Sequence, residues 1–104
     1  MTTCSTHVLD AARGLPAAGI DVTLADADGT ALEHARTDED GRVRWAGDLA
    51  PGAYRLTFAT GEWFAAADRD TFFGRVDLTV ALDSEHVHVA LLLSPYAYTT
   101  YRGS

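Results

Sequence analysis

The chain has 104 residues, enough to bury one hydrophobic core, and one domain spanning 1–104 is expected. Its formal net charge is −7, with fifteen acidic residues against eight basic ones, all arginine. That balance supplies no basic stripe for a phosphate backbone and no attraction to an anionic bilayer, so neither a nucleic-acid nor a membrane partner is expected. No apolar run approaches the roughly 20 residues that cross a bilayer. Cys4 is alone, which rules out an intrachain disulfide. The start Met1-Thr2-Thr3-Cys4-Ser5 has no basic segment followed by an apolar one, and a cytoplasmic location is expected.

Short alternating segments follow one another, separated by turn residues. Cys4 to Leu9 opens the series, with Cys4, Thr6 and Val8 on one face and His7 on the other. Gly14-Leu15-Pro16 breaks the pattern before a second strand, Ile20 to Leu24. Asp26-Ala27-Asp28-Gly29 and Asp38-Glu39-Asp40-Gly41 flank a polar strand, Glu33 to Thr37, in which His34 is exposed. Both acidic stretches lack the spacing and the bidentate glutamate of a calcium loop. They read as hairpin turns whose glycines take positive φ. Arg42 follows the second turn directly and projects from a fixed strand start.

Pro51-Gly52 precedes Ala53 to Ala59, whose Tyr54, Leu56 and Phe58 alternate with polar neighbours. The alanine run of Glu62 to Ala67 predicts the one helix, about two turns long. Val76 to Leu82 and Glu85 to Leu93 are the last alternating segments, parted by Asp83-Ser84. Short strands at even spacing predict an all-β sandwich or barrel.

Val87, Val89, Leu91 and Leu93 share the core face, while His86, His88, Ala90 and Leu92 share the other. A second face that runs from histidines into alanine and leucine is not designed for water alone, and a subunit interface is the economical cover. His7, His86 and His88 thus lie on faces turned away from the core. Taken one at a time they read as surface or edge histidines, and His86 with His88 lacks the further ligands of a zinc site. No phosphate loop, nucleophile elbow or carboxylate pair is present.

Ser5-Thr6-His7-Val8-Leu9-Asp10, Gly14-Leu15-Pro16-Ala17, Thr37-Asp38-Glu39-Asp40-Gly41-Arg42 and the long run His88 to Ser104, ending Tyr101-Arg102-Gly103-Ser104, resemble the transthyretin-like 5-hydroxyisourate hydrolases. The resemblance covers the whole chain in order, and the terminal Tyr-Arg-Gly-Ser distinguishes these enzymes from transthyretin, a carrier of the same fold. It implies a β-sandwich of about eight strands in two sheets with one short helix. It also implies a homotetramer whose sites lie at the dimer–dimer interface. By position, His7, Arg42, His88 and Ser104 correspond to the family's catalytic residues. Tyr101, Arg102 and Gly103 correspond to substrate-binding ones, supplied in part by a neighbouring subunit. No cofactor or metal is implied. The substrate would be 5-hydroxyisourate, a cyclic amide of urate breakdown. The sequence leaves open which histidine acts as base. The alternative is a carrier that holds a small aromatic ligand in the same channel. Departures from the family pattern occur at Gly74-Arg75, Ala90, Ala97 and Thr99.

Overall fold

Every second residue of β1 (Thr3–Asp10) is buried, so the strand turns Cys4, Thr6, Val8 and Asp10 inward and Ser5, His7 and Leu9 outward. The computed structural model describes Met1 to Ser104. β2 (Leu15–Pro16), β3 (Asp21–Asp26), β4 (Ala31–Arg36), β5 (Arg42–Arg44) and β6 (Gly52–Phe58) follow in order. The chain then forms α1 (Thr60–Ala66), β7 (Val76–Leu82), β8 (His86–Leu93) and β9 (Tyr98–Gly103). Two sheets result: β2-β1-β8-β9 with β5 paired to β1, and β4-β3-β6-β7. The expected sandwich with one short helix is therefore present.

Between the sheets lie Val8, Val22, Leu24, Leu56, Phe58, Val76, Leu82, Leu91 and Leu93, all essentially excluded from solvent. These are the inward residues of alternating strands, and burying them supplies most of the folding free energy. Thr6 also points inward, and its hydroxyl donates to the Val89 carbonyl at 2.7 Å, so burial costs it no hydrogen bond. α1 closes one end with Phe64 buried, and the Trp63 indole donates to the Ala18 carbonyl at 2.7 Å.

The helix begins two residues before the predicted Glu62. Thr60 and Gly61 are poor helix formers, but tertiary contact recruits them: the Gly61 N–H donates to the Gly74 carbonyl at 2.9 Å. A Cβ at position 61 would run into that same backbone.

The Asp38–Gly41 turn corrects a second expectation. Asp26–Gly29 joins the antiparallel pair β3 and β4 as a hairpin. Asp38–Gly41 instead carries the chain from β4 in one sheet to β5 in the other. Both glycines do take positive φ, 87° at Gly29 and 75° at Gly41. The two turns share an aspartate clamp, and Asp38 Oδ1 accepts the N–H groups of Asp40 and Arg42, each at 2.9 Å. Gly41 is further constrained because its carbonyl accepts from the Val8 N–H at 2.8 Å, and a Cβ there would collide with the Val8 carbonyl. These contacts fix where Arg42 leaves the turn.

Asp10 ends β1 as a buried carboxylate. Arg69 reaches it with Nη1 to Oδ2 at 2.8 Å, and the Arg13 N–H donates to Oδ1 at 3.2 Å. The same guanidinium lies over the rings of Phe64 and Trp63, at 4.8 and 5.6 Å from their centroids. Burial opposes the charge on Asp10, but these bonds outweigh it and hold the carboxyl below its ordinary value of 3.8. A carboxyl that titrates lower in the folded than in the unfolded chain stabilises the fold above the unfolded pKa, and loses that contribution as pH falls through the folded one. Asp10→Asn is therefore expected to flatten the acid limb of the stability curve, read from thermal melts taken from neutral pH down to about pH 3. An unchanged acid limb would show that the pair is not coupled to folding.

Candidate active site

Strand register places the polar residues of the first sheet in two rows across its outer face. In one row Arg42 lies opposite His7, His7 opposite Ala90, and Ala90 opposite Tyr101. In the next, Arg44 lies opposite Ser5, Ser5 opposite His88, and His88 opposite Gly103. Partners opposite one another point to the same side of a sheet. Strands β1, β5, β8 and β9 thus bring His7, Arg42, His88, Tyr101 and Gly103 onto one surface. Ala90 is the smallest side chain in the first row, and its methyl leaves a floor between His7 and Tyr101.

His88 is half-buried. Burial first, then the charges of Arg42, His7 and His86, press its pKa below the ordinary 6.5. Its Nδ1 lies 2.7 Å from Ser5 Oγ. Gly103 packs so closely against the ring that a Cβ there would sit 2.5 Å from His88 Cδ2. A cavity of about 240 Å³ opens beside His88, lined by Ser5, Asp38, Arg42 and Arg44 among others. The four ion pairs of the chain engage Arg36, Arg69, Arg75 and Arg102, which leaves Arg42 and Arg44 without carboxylate partners. In a protein of net charge −7 this face is a local concentration of positive charge, suited to an anion.

The tail divides. Tyr98–Gly103 is a strand hydrogen-bonded to β8, which fixes the terminus against the histidine-bearing strand. Tyr101 and Gly103 face the same way as His88. Arg102 lies opposite Val89, a core-side residue, and so turns to the other face. There its guanidinium donates to the Ser84 hydroxyl and approaches Asp83 at 3.6 Å. Arg102 is thus not gathered with His7, Arg42 and His88 within one chain. Ser104 extends one residue past Gly103 and is exposed. Ala97 is not among the residues with positive φ, so this departure from glycine introduces no backbone strain. Ser5 was not among the residues expected at the site, although its place two residues before His7 puts it on the same face.

The frame is thus a two-sheet β-sandwich with histidines and the arginines Arg42 and Arg44 on the outer face of one sheet. The family model "HIUase/Transthyretin family" matches residues 4–103. The chain belongs to that family. It is 46% identical to a 5-hydroxyisourate hydrolase of Caulobacter vibrioides, with both chains covered in full. The solved structure of the Klebsiella pneumoniae 5-hydroxyisourate hydrolase superposes with a TM-score of 0.94 at 40% identity, covering 100% of each chain. Transthyretin from Sparus aurata shares the fold more distantly, with a TM-score of 0.88 at 27% identity over 96% of this chain and 95% of the other. The fold is accordingly the transthyretin-like β-sandwich.

Proposed function

We propose that the protein is a 5-hydroxyisourate hydrolase that opens the six-membered ring of its substrate to a ureido-imidazoline carboxylate. The observation that carries this reading is the row arrangement that puts His7, Arg42 and His88 on one face. Full-length similarity to hydrolases, closer than to the carrier, supports it.

Hydrolysis of a cyclic amide needs an activated water, a stabilised carbonyl oxygen and a proton for the leaving nitrogen. One of the pair His7 and His88 takes a proton from water as the water oxygen bonds to the carbonyl carbon. The C–N bond then breaks, and the ring nitrogen leaves with a proton from the imidazole side. Arg42 provides a planar, permanently charged donor for the urate-like oxygens. Tyr101 and Ser104 add hydrogen bonds, and Gly103 gives the backbone room to approach His88. Arg102 faces away from this surface in its own chain, so we assign it to the site of a neighbouring copy within a homotetramer. The half-buried Leu92 and exposed Tyr101 on the outer face support such an interface. A cytoplasmic location goes with it, consistent with a lone, buried thiol.

Two measurements follow. With substrate in large excess, an enzyme consumes many molecules per chain, whereas a carrier saturates at one per site. Many turnovers are expected, and saturation without turnover would favour the carrier.

The second concerns pH. A base must be unprotonated, and a pKa pressed below 6.5 keeps His88 neutral further into acid. The acid limb of kcat/KM is therefore expected below pH 6.5, and Arg42→Gln is expected to move it upward by removing a positive neighbour. A limb lying above that value would show that His88 does not control it.

A further inference from the structure

Four side chains and one carbonyl form a line across the parallel pair β1 and β8, where Thr3 lies opposite His86 and Ser5 opposite His88. The Thr3 hydroxyl is 3.3 Å from the Glu85 carbonyl and 2.6 Å from His86 Nδ1. His86 Nε2 is 3.0 Å from Ser5 Oγ, which is 2.7 Å from His88 Nδ1. Each hydroxyl carries one proton, and each neutral imidazole donates from one nitrogen and accepts at the other. The line can therefore be protonated in only two consistent directions.

The Glu85 carbonyl, which also takes the Thr3 N–H at 3.0 Å, can only accept, and the additional bond from the Thr3 hydroxyl favours one of them. If Thr3 donates to Glu85, then His86 donates from Nδ1 to Thr3, Ser5 donates to His86 Nε2, and His88 donates from Nδ1 to Ser5. All four contacts are then hydrogen bonds. In the opposite direction Thr3 must donate to His86, the contact with Glu85 has no proton, and three bonds remain. The four-bond direction leaves His88 protonated at Nδ1 with a free lone pair at Nε2.

We infer that Ser5 and His86 are positioning residues that, anchored through Thr3 to the Glu85 carbonyl, hold His88 in the Nδ1-protonated tautomer and so make it the base of the hydrolysis. This rests on the reading of His88 as one of the two histidines at the reacting centre, and it settles the division of labour: His88 Nε2 accepts the proton of water, and His7 orients the water or serves the leaving nitrogen. The tautomer of a catalytic histidine is set by the bond its other nitrogen makes. A neutral imidazole free in water favours the opposite form, with the proton on Nε2.

The test is ¹⁵N–¹H correlation NMR of the histidine side chains in the full-length protein without substrate, at a pH where His88 is neutral. His88 is expected to show a protonated Nδ1 and an unprotonated Nε2. Ser5→Ala is expected to convert it to the Nε2-protonated form and to lower kcat by about 10- to 100-fold with KM little changed, the scale of losing a second-layer orienting bond. Ser5→Thr, which keeps the hydroxyl, is expected to restore both the tautomer and most of the rate.

An Nε2-protonated His88 in the unmodified protein would overturn the inference, as would a Ser5→Ala variant that retains tautomer and kcat. The tautomer is read without substrate, so it stands apart from the activity assay. A correct tautomer in a protein that turns nothing over would instead contradict the hydrolase reading, and with it the role of His88 as base.

Discussion

His88→Ala is expected to lower kcat by about 10²–10⁴-fold, the usual contribution of a positioned acid or base, while leaving the thermal midpoint nearly unchanged. The fold should tolerate the loss because His88 points outward from the sandwich, and the residues that hold β8 in the core are Val87, Val89, Leu91 and Leu93. His7→Ala is expected to fall in the same range, since His7 also lies on the outer face of β1. The double variant should lose much less than the product of the two single losses, because the histidines act on one water and one leaving group. Steady-state kinetics beside thermal melts checks this directly. Single variants that keep full turnover would remove both histidines from the mechanism, and loss of the folded state would make them structural residues instead.

Gly103→Ala is the second large effect. Position 103 has an ordinary backbone conformation, so the cost is not one of φ. It is steric: the added methyl carbon would lie 2.5 Å from His88 Cδ2, closer than such atoms approach, and a tight 3.3 Å from Cγ. Either the imidazole moves or β9 parts from β8 at its last residue. In both cases the reacting groups shift by an amount on the order of 1 Å, and misplacements of that size cost about 10²-fold in rate. The expected signature is a fall in kcat with stability nearly intact, since position 103 is the end of an edge strand. A variant as active as the unmodified protein would show that the tail does not pack on His88 in the working enzyme.

The two histidine faces were legible because a strand's side chains alternate with a period of two, a rule that needs no knowledge of partners. The Asp38-to-Arg42 turn was legible for a similar local reason, since Asp and Gly at those spacings write their own hydrogen bonds. What lies between strands was not. That Asp38–Gly41 changes sheets depends on β5 pairing with β1, some forty residues away in the chain and set by burial of Val43 and Trp45. Arg-Val-Arg is too short to announce a strand on its own. The tail carried Tyr and Thr, good strand formers, but its register against β8 decides that Gly103 faces His88 and Arg102 does not. Ser5 was hidden for the same reason: a serine on an outer face is unremarked until the parallel register sets it between two imidazoles.

The resemblance in the terminal residues and the physical reading of the strands are independent routes to one face of the molecule. The carrier reading shares the fold but has no use for unpaired arginines beside two histidines, one of them with its pKa pressed down. The hydrolysis proposed above has a use for both histidines and for Arg42.

The measurement that tests this most directly is the ultraviolet decay of 5-hydroxyisourate, made freshly from urate, with the unmodified protein and in a matched blank. The substrate hydrolyses slowly by itself, so the blank sets the reference. The hydrolase reading predicts decay that accelerates in proportion to protein concentration and saturates with substrate. Decay at the blank rate in the presence of folded protein would contradict it.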